Sequence, residues 1–346
     1  MNILLTSVGR RSYMIDYFKL SMRGIGKIYA SNSVLTNTLL RADGYVLTPK
    51  IYDINYIGFL IDFCKSMDIN AIISLFDIDL PILAKNRLLF EENGIKLVVS
   101  DYHVVQICND KWKTYQFLRQ VGINQPQTYI SLCDARNSIK DGVLSFPIFI
   151  KPRWGMGSIG IYRIESDEEL SVLYKKLRRE IFETYLKYES SNNEDSCILI
   201  QQGICGQEYG LEILNDLESN YVKTFAKKKI AMRAGETDVA VTVSPVQFED
   251  VGRVLSKNLK HMALLDVDCI IDESNNLYVL EMNCRFGGQY PFTHNSGVNV
   301  PLQIIKWLSG KSVDFSILNQ KDGVVSCKEI SPTIMTGVQS FNLSKC

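Results

Sequence analysis

The sequence predicts an α/β domain built on a doubly wound parallel sheet, followed by a larger α+β region. Three observations lead there. Short apolar runs alternate with amphipathic stretches over residues 1 to about 105, as strand–helix–strand units require. From Asn109 that alternation gives way to strand-like runs joined by Gly-rich or polar turns. Finally, 346 residues exceed what one ordinary core holds, so two or three domains are expected.

In chain order, Ile3–Thr6, Lys27–Ala30, Tyr45–Leu47, Ala71–Ser74 and Lys96–Val99 read as strands. Tyr56–Met67 and Leu80–Asn93 have helical spacing. Ligands of such sheets bind past the carboxyl ends of strands, which here carry Ser7-Val8-Gly9-Arg10-Arg11 and Asp77-Ile78-Asp79. The first lacks G-x-G-x-x-G, so a dinucleotide is not predicted. Asp79 reads as a helix N-cap before Leu80. Asp110-Lys111-Trp112-Lys113 opens a helix to Val121 that Gly122 ends. A strand finishing in Phe149-Ile150-Lys151-Pro152 leads into the loop Gly155-Met156-Gly157-Ser158-Ile159-Gly160 and then Ile161-Tyr162-Arg163. Ser166–Tyr188 reads as one long charged helix, and residues 189–195 as a polar surface loop. Ile198–Gln202 and Tyr209–Leu214 are strand-like, Tyr221–Val243 is strand-rich, and Glu249–Leu264 is helical. The chain beyond about Asp314 carries no clear pattern.

Composition narrows the function classes. Lys+Arg and Asp+Glu both total 38, so nothing favours nucleic acid or a membrane surface as partner. No apolar run reaches the roughly 20 residues of a spanning helix, and no basic-then-apolar leader precedes Ile3. The nine cysteines form no C-x-x-C pair, and reduced thiols in a cytoplasm fit them better than disulfides.

The densest chemistry lies in Glu281-Met282-Asn283-Cys284-Arg285-Phe286-Gly287-Gly288, after the strand Leu277–Leu280. With Glu273–Asn276 as the turn after Asp268–Asp272, Asp272 faces Leu277 and the same register sets Asp268 opposite Glu281. Opposed residues have Cβ atoms about 5 Å apart, and alternation puts Asp268, Glu281 and Asn283 on one face. Two carboxylates and an amide oxygen suit a hard cation such as Mg²⁺; a surface hairpin with scattered acids is the rival reading.

Other motifs carry weaker versions of the same theme. Gly155–Gly160 follows Lys151, so backbone N–H groups and a point charge are offered to phosphate, although no G-K-[ST] closes the loop. Gln201–Glu208 joins two strands and exposes backbone that could read an adenine edge. Lys227 and Lys229 share a face, with Arg233 following, so anion binding competes with a solvated edge. Arg285 with Gly287-Gly288 is placed to clamp a carboxylate or phosphate. His103 and His261 read as structural, and His294 as a substrate-contact candidate.

Taken together and in this order, the motifs resemble the ATP-grasp superfamily over residues 1 to about 310. The chain is similar to its carbamoyl-phosphate-synthase large-chain-like branch in I-L-L-T-S-V-G-R-R, F-I-K-P-R-W-G-M-G-S and E-M-N-C-R-F-G-G-Q-Y-P. The resemblance implies a Rossmann-like pre-ATP-grasp domain at 1–108 and a two-lobed ATP-grasp domain. Its first lobe, with the Gly-rich loop, would be 109–204 and its second, with the metal site, 205–315, leaving 316–346 as a tail. It implies that Lys111, Lys151 and Lys229 hold ATP with Gly155, Gly157 and Ser158 over the phosphates. Gln202 and Ile204 would meet adenine, Glu208 ribose, and Asp268, Glu281 and Asn283 Mg²⁺. Arg285 would meet the moving phosphoryl group, with Lys151 assisting. Two departures stand out. Gln201 replaces a Glu found in many members, and Asp266 an arginine of D-alanine–D-alanine ligase. The implied reaction is carboxylate–amine ligation through an acylphosphate, with small-molecule substrates. Arg10, Arg11, Arg233, Thr237 and the segment Gly287-Gly288-Gln289-Tyr290 are candidate pocket residues, and a homodimer is common in the family. A bicarbonate-activating carboxylase or carbamoyl-phosphate-type enzyme, or a non-catalytic nucleotide-binding module, remain the alternatives.

Overall fold

The structure is a computed structural model that describes residues 1–155, 160–191 and 193–334. Its first sheet holds β1 (Asn2–Thr6), β2 (Ile28–Asn32), β3 (Gly44–Leu47), β4 (Ile69–Ser74) and β5 (Lys96–Val98). The strands are all parallel, in the order β3-β2-β1-β4-β5. The central strand β1 shows why its sequence is unbroken apolar. Ile3 and Leu5 pack with Met14, Ile15 and Phe18 of the helix Ser12–Met22 on one side. Leu4 packs with Tyr56, Leu60 and Ile61 of the helix Tyr56–Ser66 on the other. A strand buried on both faces has no polar side to alternate with.

Two expectations in this domain are corrected. Leu80–Asn93 is not one helix but two, Asp79–Lys85 and Arg87–Glu92. They break at Asn86, which leaves helical geometry and turns its amide back onto the Ile82 carbonyl at 2.8 Å. Asp79 caps nothing. Its carboxylate is fully buried and accepts from Thr6 (2.5 Å), Ser74 (2.9 Å), Tyr56 (2.8 Å) and Ser7 (3.1 Å). Burial raises its pKa, against those four hydroxyls. It fastens the ends of β1 and β4, the edge on which ligands of such sheets sit.

A small antiparallel sheet follows: β6 (Thr128–Tyr129), β7 (Ile148–Pro152), β8 (Tyr162–Ile164) and β9 (Ile198–Gln202), in the order β6-β9-β7-β8. It has its own core, where Ile148, Ile150 and Ile200 meet Leu170, Leu177 and Ile181 of the helix Asp167–Glu183. Ser166 caps that helix by accepting from Glu169 N. The helix ends at Glu183 rather than Tyr188, because Thr184 turns extended, and a short helix, Lys187–Ser190, follows. Part of the expected polar loop is therefore helical.

The third sheet is antiparallel and larger. It holds β10 (Gly206–Asn215), β11 (Tyr221–Arg233), β12 (Glu236–Val243), β13 (Leu264–Asp272), β14 (Leu277–Asn283) and β15 (Val325–Cys327). Their order is β14-β13-β10-β11-β12-β15. The helix expected over Glu249–Leu264 stops at Leu259, where Lys260 takes a left-handed conformation (φ 55°). The stretch after Asp314, patternless in the sequence, supplies an edge strand: Val325–Cys327 pairs with β12. The helix Val300–Leu308 contributes Val300, Ile304 and Ile305 to the core containing Phe18 and Met14. The end of the third sheet is thereby packed onto the first domain.

Candidate active site

Between the sheets lies a cavity of about 350 Å³. One wall is the β13–β14 hairpin. Asp268 faces Glu281, and Asp266 faces Asn283. The register is not the simple one that the turn predicts. Ile271, not Asp272, faces Leu277, and a bulge then leaves Leu280 without a partner. The bulge changes which side each residue shows. Val279, Met282 and Cys284 all enter the core, while Glu281 and Asn283 line the cavity.

Three lysines face the acids. Lys111 enters from the first turn of the helix Lys111–Gln120, which Asp110 caps through Trp112 N (3.0 Å) and Lys113 N (3.4 Å). Its Nζ lies 3.4 Å from Glu281 and donates to the Gly155 carbonyl. Lys229, on β11, pairs with Asp268 at 2.7 Å and Glu208 at 3.3 Å. Burial alone would lower the Lys229 pKa, but the Asp268 charge outweighs it and the ammonium is strengthened. Lys151, on β7, donates to Gln201 Oε1 at 2.8 Å. That partner is neutral, so burial dominates and its pKa drops to about 8.

Arg285 is 9 % exposed and spends its guanidinium on acids. Its Nε and Nη2 donate to Asp77 Oδ2 at 2.9 and 2.7 Å, and Nη1 lies 3.5 Å from Asp266. Burial would lower its pKa, yet the Asp77 and Asp266 charges raise it. Asp266 itself is pushed up to about 7, first by burial and then by the Asp268 charge, with Arg285 opposing. Gln289 bridges the acids, donating to Asp266 (2.6 Å) and Asp268 (3.2 Å). Two glycines make this possible. A Cβ on Gly210 would lie 1.6 Å from Gln289 Oε1, and one on Gly287 2.2 Å from Asp266 Cγ. Beneath, the fully buried Lys227 pairs with Glu212, which also accepts from Thr293.

Among the described residues no three His, Cys, Asp or Glu side chains form a metal group. The donors that converge are two carboxylates and the Asn283 amide. That set fits Mg²⁺, which keeps several waters and takes phosphate oxygens rather than a full protein cage.

Of the sequence candidates, Lys111, Lys151, Gly155, Lys229, Asp268, Glu281, Asn283, Arg285, Arg10, Thr237 and Gly288 line this cavity. Gly157 and Ser158 lie outside the described residues. Gln202, Ile204, Glu208, Gly287 and Tyr290 are not on its lining. Gln202 instead pairs with Gln127 across the small sheet, by backbone and side chain. Arg233 is turned away, tied to Asp238 and the Lys328 carbonyl. His294 is also elsewhere, stacked on Tyr17 with ring centroids 3.7 Å apart. The anion-binding pair expected on β11 is reduced to Lys229, because Lys227 is consumed by Glu212. Arg11 and Gln289, also offered by the sequence as pocket residues, line the cavity too, whereas sequence reasoning missed Glu236 and Lys328. Arg11 stood beside Arg10 at a strand end, and Gln289 followed the two glycines. Lys328 arrives only because β15 joins the sheet, which no local pattern announces.

A model of the ATP-grasp domain matches residues 108–289, more than half of the chain. The chain belongs to the ATP-grasp family. A model of the PylC-like N-terminal domain matches residues 3–98, ahead of the ATP-grasp stretch. Among curated relatives, the arginine-specific carbamoyl phosphate synthase large chain of Bacillus subtilis is 22% identical over 212 residues. That match covers 58% of this chain and 19% of the relative, so this ATP-grasp chain spans about a fifth of it. Among solved structures, the biotin carboxylase domain of Hydrogenobacter thermophilus 2-oxoglutarate carboxylase, solved with MgADP and bicarbonate, has TM-score 0.73 and 18% identity. It covers 94% of this chain and 74% of that one. The L-amino acid ligase of Bacillus licheniformis also reaches 0.73 at 18% identity, covering 94% and 79%. The expected fold, a parallel-sheet domain ahead of an antiparallel ATP-grasp domain, is what the structure and these matches give.

Proposed function

We propose that this protein is an ATP-dependent carboxylate–amine ligase that uses Mg²⁺ and works through an acylphosphate. One observation carries the reading: Asp268, Glu281 and Asn283 line one cavity with three lysines facing them, and Arg10, Arg11 and Lys328 continue the same cavity. The first group suits a metal–triphosphate, the second a carboxylate beside it. Lys111 and Lys151 would hold phosphates, and Lys229 would steady Asp268. When bound to Asp268, Glu281 and Asn283, Mg²⁺ would neutralise phosphate charge. Arg285, fixed by Asp77 and Asp266, would meet the transferring group only after giving up part of those bonds.

In the first step a substrate carboxylate oxygen bonds to the γ-phosphorus. The bond to the β-phosphate oxygen breaks and its electron pair leaves with ADP. In the second step an amine nitrogen bonds to the acyl carbon, the C–O bond to phosphate breaks, and two ammonium protons leave to phosphate or solvent. Such transfer needs positioning and charge rather than a protein nucleophile, and lysines, acids and arginines are what the cavity holds. The L-amino acid ligase, which shares the fold, supports the amine class. No helix among the described residues is long and apolar enough to cross a membrane. The eight described cysteines are unpaired, which supports the cytoplasm as its compartment.

The test is ADP release over a panel of carboxylates, with hydroxylamine to trap acylphosphate as hydroxamate. A carboxylate that yields hydroxamate supports the ligase. Stimulation by bicarbonate alone overturns it in favour of carboxyphosphate chemistry, and ATP binding without turnover in every arm overturns it altogether.

A further inference from the structure

A second cavity, of about 730 Å³, adjoins the first along the same face of the hairpin. Lys111, Gly155, Glu281 and Asn283 line both cavities, so its inner end abuts the proposed phosphate site. Its volume falls in the range of ordinary small-molecule sites. The rings of Tyr52, Tyr102, Trp154 and Tyr185, with Pro81 and Ile82, supply its apolar surface.

The buried polar side-chain atoms on its lining that lack a partner among the described residues are both acceptors. Asp77 is 6 % exposed, and Arg285 occupies only its Oδ2. Asp77 Oδ1 is buried and has no donor among the described residues. Asn109 Nδ2 donates to the Asp77 carbonyl at 2.6 Å, which fixes the amide and leaves Asn109 Oδ1 as a second buried acceptor without a donor. Both residues line this cavity. Buried acceptors left alone are costly, and only a donor satisfies them.

The cations nearby are spoken for. Arg153 grips Asp110 at 2.8 and 2.7 Å, Lys113 donates to Gln106 at 2.6 Å, and Lys111 pairs with Glu281. Lys85 is exposed at the rim. An anion entering would meet Asp77 and Glu281. An ammonium would meet two acceptors, with aromatic side chains lining the rest of the cavity.

We infer that this second cavity binds the amine co-substrate: a primary amine with an apolar or aromatic body, its ammonium on Asp77 Oδ1 and Asn109 Oδ1. In naming that amine a substrate the inference rests on the ligase reading. The mouth has a clasp suited to admission. Tyr52, from the first domain, stacks on Tyr188 at 4.5 Å and donates to Glu189 at 3.2 Å, both beside the small sheet.

The test is a binding measurement that needs no turnover. Tryptophan fluorescence is followed on titration with 2-phenylethylamine and, separately, with phenylacetate, which has a similar body and the opposite charge. The amine is expected to give a saturable change that Trp154→Phe abolishes. Asn109→Leu should weaken it about tenfold, the value of one hydrogen bond to a charged donor. Phenylacetate should bind at least about tenfold more weakly. Equal binding of the two probes, an unaltered affinity in Asn109→Leu, or no saturable change overturns the assignment. If Asn109→Leu fails to fold, Tyr52→Ala, at a half-exposed ring, should weaken the amine several-fold, and wild-type affinity there counts against the site. Amine binding without ligation would keep this cavity and discard the ligase reading; ligation with no amine binding here would do the reverse.

Discussion

Asp268 stands directly opposite Glu281, and the bulge at Leu280 is what leaves Glu281 facing the cavity instead of the core. Val279 lies in the core, and strict alternation from it would turn Glu281 inward with it. Glu281→Gln and Asn283→Ala should each lower Mg²⁺-dependent ADP release by at least about 100-fold, the scale of losing one electrostatic contact to the transition state. Both variants should unfold at the wild-type urea midpoint. Unaltered turnover across a magnesium titration would refute the metal assignment.

The opposed acids were legible in the sequence because two departures from the simplest register cancel. The turn begins one residue earlier than expected, and the unpaired Leu280 restores the step. The first sheet was legible for a different reason, since strands buried on both faces leave uninterrupted apolar runs. Helix ends at Asn86 and Thr184 were not, because polar residues there fit a helix surface as well as a break. Asp79 misled for a related reason. An acid before an apolar run is the N-cap pattern, and only the distant hydroxyls of Thr6 and Tyr56 reveal a buried anchor.

Lys151 makes the site pH-sensitive. Its pKa is about 8 in the folded protein, below the ordinary lysine value, because it is buried against the neutral Gln201. As pH rises through about 8 the ammonium is lost, so kcat/KM for ATP should fall on the alkaline side with that midpoint. The stability term has the opposite sign. Between about 8 and the unfolded value the unfolded chain binds more protons, so this group adds stability as pH rises. Gln201→Glu should give Lys151 a charged partner and move the alkaline limb upward by about a unit or more. A limb that stays in place in Gln201→Glu would show that another group sets it.

Asp77 and Arg285 form a buried pair with side chains 8% and 7% exposed. Removing one partner strands the other charge. Asp77→Ala should destabilise the protein by about 3–5 kcal/mol, read from urea unfolding with the slope unchanged. Asp77→Asn keeps an acceptor for the guanidinium and should cost less than half as much. Equal midpoints for wild type and Asp77→Ala would mean that Asp266 alone suffices to hold Arg285.

Gly210 tests whether Gln289 matters beyond packing. Its missing Cβ is the space that Gln289 Oε1 fills, and Gln289 in turn holds Asp266 and Asp268. In Gly210→Ala the amide must swing away, since the far end of a flexible side chain yields more easily than β10. The strand itself gains a residue no worse for it than glycine. Folding stability should therefore shift by less than about 1 kcal/mol. Asp268 should lose its amide donor and keep only Lys229, and kcat should fall about tenfold, the equivalent of roughly one charged hydrogen bond. Gln289→Ala should reproduce the loss, and the double variant should be no worse than either single one. Losses that multiply in the double variant would place Gly210 and Gln289 in separate roles.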